Sequence, residues 1–483
     1  MTMSLGRPFL LLAVGLVFSA WACGGGRTAL LAPSNEDVSP RTSVDAGVAD
    51  AGGFTSQPAD GGLCPDGFTT CGKGLLCHDL ARSPEHCGSC GNSCAPGLAC
   101  QAGRCQQARC RDRVTFQVLP VVSTVVPSGD DYSFSLSYYE PVLGDFDRDG
   151  ILDFIGQTGT RGPMGVLLGK GDGTFRAKPI AAAYAYSWRA AVADLNDDGL
   201  LDLASISQKD AASVTEDEAM VTVRMGDGDP STLFAAGTTY LTPSTPSSLA
   251  LADLDRDGQV DLVAGGAKDA VAAKAFLRLW RGSASGKFAA PIDLAAGAVG
   301  RFLVAADWNR DGALDLLYGT SSLRMLLGRG DGSFDKEVAC GLTLDRSTFI
   351  ANFDSDSRPD VVLCSLGVLL DMNGCNFTRA VSIPGWQVTP SQGGPSAGAA
   401  AAADLDGDGK MDLVGLGTVS PTEEGIAVYT GDGRGGFAAP VTFRIPEGQP
   451  GSAIVAGDFN RDGKLDLLVA RPNGWQVLLN TCR

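Results

Sequence analysis

The chain has 483 residues, 44% hydrophobic and 7% aromatic, with a formal charge of −17. That apolar share excludes a wholly disordered protein, and the acidic balance excludes a nucleic-acid binder, because phosphate contacts need a basic surface. Both histidines, His78 and His86, fall in a Cys-rich stretch, so histidine chemistry is excluded from everything that follows it.

Arg7 precedes an apolar run, Phe9 to Phe18, that is too short to span a bilayer and suits a signal-peptide core. Ala20-Trp21-Ala22 offers an ordinary cleavage site. Ala22-Cys23, followed by three glycines, resembles the end of a bacterial lipobox, which would put a lipid on Cys23. Residues 1–22 are therefore expected to be a signal peptide. The chain is expected to be exported as an outer-membrane or cell-surface lipoprotein, or else freely secreted. Membrane contact is expected only through the anchor.

Residues 23–63 are rich in Ala, Gly, Asp, Ser and Pro (Val44-Asp45-Ala46-Gly47-Val48-Ala49-Asp50). Such a segment buries too little surface to offset its chain entropy, and a disordered linker is expected. Residues 64–109 form the next unit, with cysteines at 64, 71, 77, 87, 90, 94, 100 and 105. A segment this short needs covalent staples, and crowded cysteines in an exported chain point to disulfides. Cys87 and Cys90 with His86 leave zinc as the alternative. The run from Glu85 to Cys94, then Cys100 and Cys105, resembles the small disulfide module of the Stig1-like family.

Most of the information lies in a nine-residue phrase that occurs seven times between residues 145 and 466. Positions 1, 3, 5 and 9 carry Asp or Asn. They are Asp145, Asp147, Asp149 and Asp153, then Asp194, Asn196, Asp198 and Asp202, then Asp253, Asp255, Asp257 and Asp261. Next are Asp307, Asn309, Asp311 and Asp315, followed by Asn352, Asp354, Asp356 and Asp360. The last two are Asp404, Asp406, Asp408 and Asp412, and Asp458, Asn460, Asp462 and Asp466. Successive starts are 49, 59, 54, 45, 52 and 54 residues apart. Small apolar residues precede each copy and a β-rich run follows. A second strand then leads into a Gly-rich hairpin such as Gly169-Lys170-Gly171-Asp172-Gly173-Thr174-Phe175. Four short strands per fifty-odd residues is the spacing of a β-propeller blade.

The phrase resembles the FG-GAP/VCBS repeat, the unit of the integrin α-chain propeller. The fold expected is all-β, a seven-bladed β-propeller over residues 110–483, preceded by the signal peptide, the disordered linker and the small disulfide-rich module. The last blade stops after its third strand, while a spare strand at Thr115–Val121 precedes the first phrase. That strand is expected to complete the last blade and leave no free edge. The same alignment brings Cys110 and Cys482 to one hairpin and predicts a disulfide between them. Cys340 is expected to pair with Cys364.

The phrase is suited to calcium. That hard cation takes six to eight oxygen ligands. Asp or Asn at positions 1, 3 and 5, the carbonyl of position 7 and Asp at position 9 would supply them, with Gly at position 6 making the tight turn. About six sites are expected, because Asn352 removes a charge and Ser357 replaces the glycine in the fifth copy. The competing reading is an acidic turn held by side-chain-to-backbone bonds. Arg329-Gly330-Asp331 falls in the repeating hairpin and is read as a coincidence of the repeat. Tyr138, Tyr139, Tyr186 and Trp188 lie before inner strands, on the rim opposite the loops, and are candidates for a ligand face. No catalytic constellation stands out, so a non-enzymatic binding or adhesion module for a protein or carbohydrate is expected. An envelope assembly subunit and a polysaccharide-active enzyme are the alternatives.

Overall fold

The apolar runs flanking each phrase form strands. The computed structural model describes residues 110, 113–123, 141–157, 164–179, 186–208, 219–229, 231–266, 275–294, 299–300, 302–320, 322–343, 348–356, 358–363, 367–377, 379–383, 400–420, 423–445, 453–471 and 474–482. Upstream it describes only the strands Phe68–Thr70, Cys77–Asp79, Ala99–Gln101 and Arg104–Gln106. The expected leader, Cys23, the linker and most of the Cys-rich segment lie outside the described residues.

The four upstream strands belong to a unit of their own. In it Phe68–Thr70 pairs with Cys77–Asp79, and Ala99–Gln101 pairs with Arg104–Gln106, setting Cys100 opposite Cys105.

The other unit is a seven-bladed β-propeller, each blade an antiparallel meander. Blade 1 runs through Val142–Gly144, Asp153–Gln157, Met164–Gly169 and Phe175–Pro179. The inner strands of blades 2 to 7 are Tyr186–Ala193, Ser248–Ala252, Phe302–Ala306, Thr348–Ala351, Ala400–Ala403 and Ala453–Gly457. Those of blades 3 to 7 are buried on both faces, which explains their content of alanine and other apolar residues. The inner strands of blades 1 and 2, 2 and 3, 3 and 4, and 6 and 7 lie against one another. Among the described residues there is no helix, and none long and apolar enough to cross a membrane.

Blade 7 is completed from the other end of the chain. Phe116–Val118 pairs antiparallel with Gly474–Asn480, in the register Asn480 to Phe116 and Leu478 to Val118. Val122–Ser123 continues along the same strand. Thr481 N–H donates to the Thr115 carbonyl at 2.8 Å. The Cys110–Cys482 disulfide lies beside this seam, with Cα atoms 5.3 Å apart.

A second disulfide corrects the expected pairing. Cys340 bonds Cys375, not Cys364, with Cα atoms 4.6 Å apart. Cys340 lies on the outer strand of blade 4 (Val338–Thr343), and Cys375 lies in the hairpin of blade 5, so the bond joins neighbouring blades. Cys364 falls outside the described residues.

Blades lock through the phrase itself. Its second residue (Phe146, Leu195, Leu254, Trp308, Phe353, Leu405, Phe459) is buried in every blade. The hairpin Phe of the next blade packs against it in three cases. Phe175 meets Phe459 at 5.7 Å, Phe234 meets Phe146 at 5.8 Å, and Phe437 meets Phe353 at 5.2 Å between ring centroids. A hairpin glycine N–H also donates to the second-position carbonyl: Gly173 to Phe459, Gly332 to Leu254, Gly374 to Trp308 and Gly435 to Phe353.

Replacing Cys482 with Ser is expected to lower stability by about 6 kcal/mol on the chain-entropy account of a long closed loop. Urea unfolding of wild type and variant, each with and without reductant, checks this. Equal midpoints for the two oxidised chains would show that the strand pairing alone closes the ring.

Candidate metal centre

Each phrase joins the inner strand of a blade to its second strand, and its ninth residue opens that second strand. There the Asp is fully buried in every blade, and in six of the seven it accepts two backbone N–H groups from different elements. Asp153 Oδ2 takes Phe146 N–H and Oδ1 takes Gly169 N–H, both at 2.8 Å. Asp202, Asp261, Asp315, Asp412 and Asp466 repeat the pattern with Leu195 and Gly226, Leu254 and Gly282, Trp308 and Gly328, Leu405 and Gly431, and Phe459 and Asn480. This carboxylate pins the loop to the end of the third strand.

The rest of the loop coils around its own acids. Asp145 takes Asp149 N–H on Oδ1 at 3.1 Å and Gly150 N–H on Oδ2 at 3.0 Å. Asp404 and Asp458 do the same with Asp408 and Gly409, and with Asp462 and Gly463. Asp194 and Asp307 likewise hold Asp198 and Gly199, and Asp311 and Gly312. The fifth-position oxygen takes the seventh-position N–H, as Asp149 does from Ile151, Asp257 from Gln259 and Asp408 from Lys410.

The sixth-position glycines are left-handed as the sequence requires, for example φ 77° at Gly150. Position 4 is also left-handed in every loop, at Arg148, Asp197, Arg256, Arg310, Ser355, Gly407 and Arg461. At five of the seven, four arginines and Ser355, residue type does not signal this, since only Gly, and less often Asn or Asp, adopts that region easily. At four of these positions an arginine reaches the loop of the next blade. Arg148 donates to the carbonyls of Gly199 at 2.7 Å and Asp198 at 3.2 Å. Arg310 donates to the Asp356 carbonyl and, at 2.9 Å, to its Oδ2. Arg256 lies against Gly312 and Gly330, and Arg461 against Gly150.

The geometry suits a hard cation. In Asp145, Asp147 and Asp153, in Asp253, Asp255 and Asp261, and in Asp404, Asp406 and Asp412, one oxygen of each carboxylate lies within 4.8 Å of the others. Asp253 Oδ1 is buried with no hydrogen-bond partner, an orphaned oxygen inside such a set. All donors are oxygen, the ligand type calcium takes. The fifth-position Asp is not in these sets and serves the turn. Loops 2, 4 and 7 carry Asn196, Asn309 and Asn460 at position 3. The amides of Asn196 and Asn309 donate to the carboxylates of Asp198 and Asp311 at 2.9 and 2.8 Å.

Burial pushes the ninth-position carboxyls far above their ordinary range, against the pull of the two N–H donors. Asp153, Asp360 and Asp466 are raised to about 8, Asp412 to about 7, and Asp202, Asp261 and Asp315 to about 6. Asp145 and Asp458 are raised to about 6, again chiefly by burial, with neighbouring acids adding to it.

Of the aromatic candidates, Tyr138 and Tyr139 fall outside the described residues. Tyr186 and Trp188 begin the inner strand of blade 2, at the end away from its loop, and Trp188 stands at a break in register. Arg329, Gly330 and Asp331 sit in the hairpin of blade 4. There Asp331 holds Ser333 as Asp172 holds Thr174, and Arg329 pairs with Asp335.

Fold and loops define a β-propeller built on a repeated acidic turn. An FG-GAP-like repeat model matches residues 145–205 and 404–469. Among solved structures the chain is similar to a lectin of Agrocybe aegerita, described as recognising non-reducing terminal N-acetylglucosamine. The two are 19% identical with a TM-score of 0.47, over 72% of this chain and 88% of that one. It is also similar to the Photorhabdus luminescens Tc holotoxin pore, at 17% identity and a TM-score of 0.36, over 80% of this chain but 16% of that one. No curated protein matches the chain.

Asp153→Ala leaves the N–H groups of Phe146 and Gly169 buried without an acceptor, and at 1–3 kcal/mol each it should cost about 2–6 kcal/mol. Urea unfolding of the metal-stripped protein measures this, and a loss below about 1 kcal/mol would mean that water replaces the carboxylate. pH supplies a second test. Folded pKa values raised above the unfolded value near 3.9 mean that the folded state binds more protons. The metal-stripped protein should therefore melt higher as pH falls from about 8.5 to about 5. A melting temperature that falls over that range would contradict the burial of these charges.

Proposed function

We propose that the chain is an exported, calcium-stabilised propeller that serves as a non-enzymatic binding or adhesion module for a protein or carbohydrate, anchored at a cell surface through Cys23. The observation that carries the calcium reading is the recurrence of carboxylate sets at one end of the blades, each closed by a fully buried ninth-position Asp. A buried anion cluster demands either protons or a cation. Asp145, Asp147 and Asp153, with their equivalents in the other loops, would hold the ion, and the carbonyl of position 7 (Ile151 in blade 1) is a further donor. Calcium would supply positive charge and cross-links here. The loops brace the ring, and the opposite rim, where Tyr186–Ala193 begins, is left to a ligand.

Filling one site at ten times its Kd adds about 1.4 kcal/mol, so several filled sites should raise Tm strongly. The test is to melt the whole chain in EGTA and in about 2 mM calcium, above the affinity range of extracellular modules, and to count bound ions by native mass spectrometry. A large upward shift with several ions per chain is expected. No shift and no bound metal would overturn the calcium reading and leave the loops as acidic turns. Glycan and surface-protein arrays probed with calcium present then test the binding role.

A further inference from the structure

At the end of the third strand every blade has an equivalent residue, fixed by the same strand register. In chain order these are Gly169, Gly226, Gly282, Gly328, Asp371, Gly431 and Asn480. Where glycine stands, the eighth-position carbonyl of the same loop leaves no room for a side chain. A Cβ on Gly169 would lie 2.5 Å from the Leu152 oxygen, and one on Gly431 would lie 2.1 Å from that of Met411. Asn480 turns this crowding into bonds. Its Nδ2 donates to the eighth-position carbonyl, Leu465, at 3.2 Å, and at 2.8 Å to the Leu405 carbonyl in the loop of blade 6. Its N–H donates to Asp466 Oδ1 at 2.7 Å. One buried residue therefore ties loop 6 to loop 7.

The disulfide holds that amide in place. Cys482 N–H donates to Asn480 Oδ1 at 3.2 Å, which leaves Nδ2 facing the two carbonyls. Cys482 is bonded to Cys110, whose N–H donates to the Asp406 carbonyl at 2.7 Å and whose Sγ lies 3.6 Å from the Leu405 oxygen. Both cysteines thus close on positions 2 and 3 of loop 6. Elsewhere the second-position carbonyl is held by a hairpin glycine of the next blade, as Gly332 holds Leu254, Gly374 holds Trp308 and Gly435 holds Phe353. Blade 7 cannot offer one, because its third strand, Gly474–Asn480, and its fourth, Phe116–Val118, come from distant parts of the chain. Asn480, Cys482 and Cys110 stand in for the missing hairpin.

We infer that the Cys110–Cys482 bond is a redox-sensitive latch on the acidic loop of blade 6, opened by a dithiol reductant. Cys482 is buried and Cys110 only half-buried, so the Cys110 sulfur is the one an incoming thiolate meets. The thiolate forms a mixed disulfide with Cys110 and displaces the Cys482 sulfur, which takes a proton. The second thiol of the reductant then displaces Cys110, leaving two cysteine thiols and an oxidised, cyclic reductant. With the bond open, Asn480 loses the constraint on its amide and Cys110 the constraint on its N–H. Loop 6 loosens first, because loop 7 keeps its own hairpin bond from Gly173 to the Phe459 carbonyl. Loop 6 carries the set Asp404, Asp406 and Asp412, so the latch sets the order of one of the carboxylate clusters.

The test is amide hydrogen exchange on the whole chain, oxidised and after dithiothreitol, with the freed cysteines identified by alkylation and mass spectrometry. Opening the bond in the folded chain should speed exchange at Asp408 and Gly409, the amides that Asp404 holds, by about tenfold, the protection lost with one hydrogen bond. Asp198, Gly199, Asp311 and Gly312, the equivalent amides of loops 2 and 4, should not change. Since the reductant also opens other disulfides, Cys110→Ser with Cys482→Ser should reproduce the pattern without it. Asn480→Gly installs the residue that five other blades carry and keeps the disulfide. It should speed the same amides of loop 6, so a folded comparison exists even if the double variant misfolds. Unchanged exchange in loop 6, or an equal rise in loops 2, 4 and 6, would overturn the latch and leave the bond as a plain closure of the ring. Cysteines that stay bonded until the whole chain unfolds would overturn its redox sensitivity.

Discussion

One interaction organises the propeller: a buried carboxylate at the start of each second strand accepting N–H groups from two separate places. Six of the seven ninth-position acids take the second-position N–H of their own loop and an N–H from the end of the third strand. A neutral side chain of similar size could satisfy one of these donors but not both with charge-assisted bonds. The arrangement fixes the loop against the hairpin and aligns the edge of the blade. It also places an anion where water does not reach, a cost that falls on whatever supplies the compensating charge.

The rest of the repeat follows from that pin. With the loop held, its second side chain turns inward and becomes the surface on which the hairpin Phe of the next blade packs. The second-position carbonyl is presented to the next hairpin glycine, and the fourth-position arginine to the next loop. Contacts therefore pass from loop to neighbouring blade at the same end of the ring, so loss of order in one loop is felt by the next. The two described disulfides act at this same end, one at the seam between the chain ends, where Cys110 N–H donates to the Asp406 carbonyl, and one between blades 4 and 5, beside the Gly374 N–H that bonds Trp308.

Much of this was legible in the sequence. The period of the phrase gave the blade count, and the unpaired third strand at Trp475–Asn480 called for the early strand around Phe116, which the register places there. The sixth-position glycines announced their left-handed turns. Three features were hidden. Left-handed backbone at Arg148 or Arg310 is imposed by the surrounding acid-to-backbone bonds, and an arginine gives no sign of it. Cys340 pairs with a hairpin of the next blade, a distance that depends on how blades stack rather than on spacing along the chain. Asp371 went unnoticed because it aligns with a glycine in a different part of the repeat.

That last case bears on how such loops should be read. The ninth-position Asp brings the end of the third strand to the acidic loop, so the strand end and the loop share one site although they are separate in sequence. In blade 5 the loop and the strand end each contribute: Asp354 and Asp356 from the first, Asp371 from the second. An acid missing from position 1 does not by itself remove the oxygen cluster of a loop, because the strand end can supply a carboxylate to it. The carboxylate cluster of a blade is thus built from the loop together with the strand end that its ninth residue holds. In the fifth blade, where the third strand is followed by Asp371 and not Gly, Asp360 Oδ1 and Asn352 Oδ1 are buried without a hydrogen-bond partner.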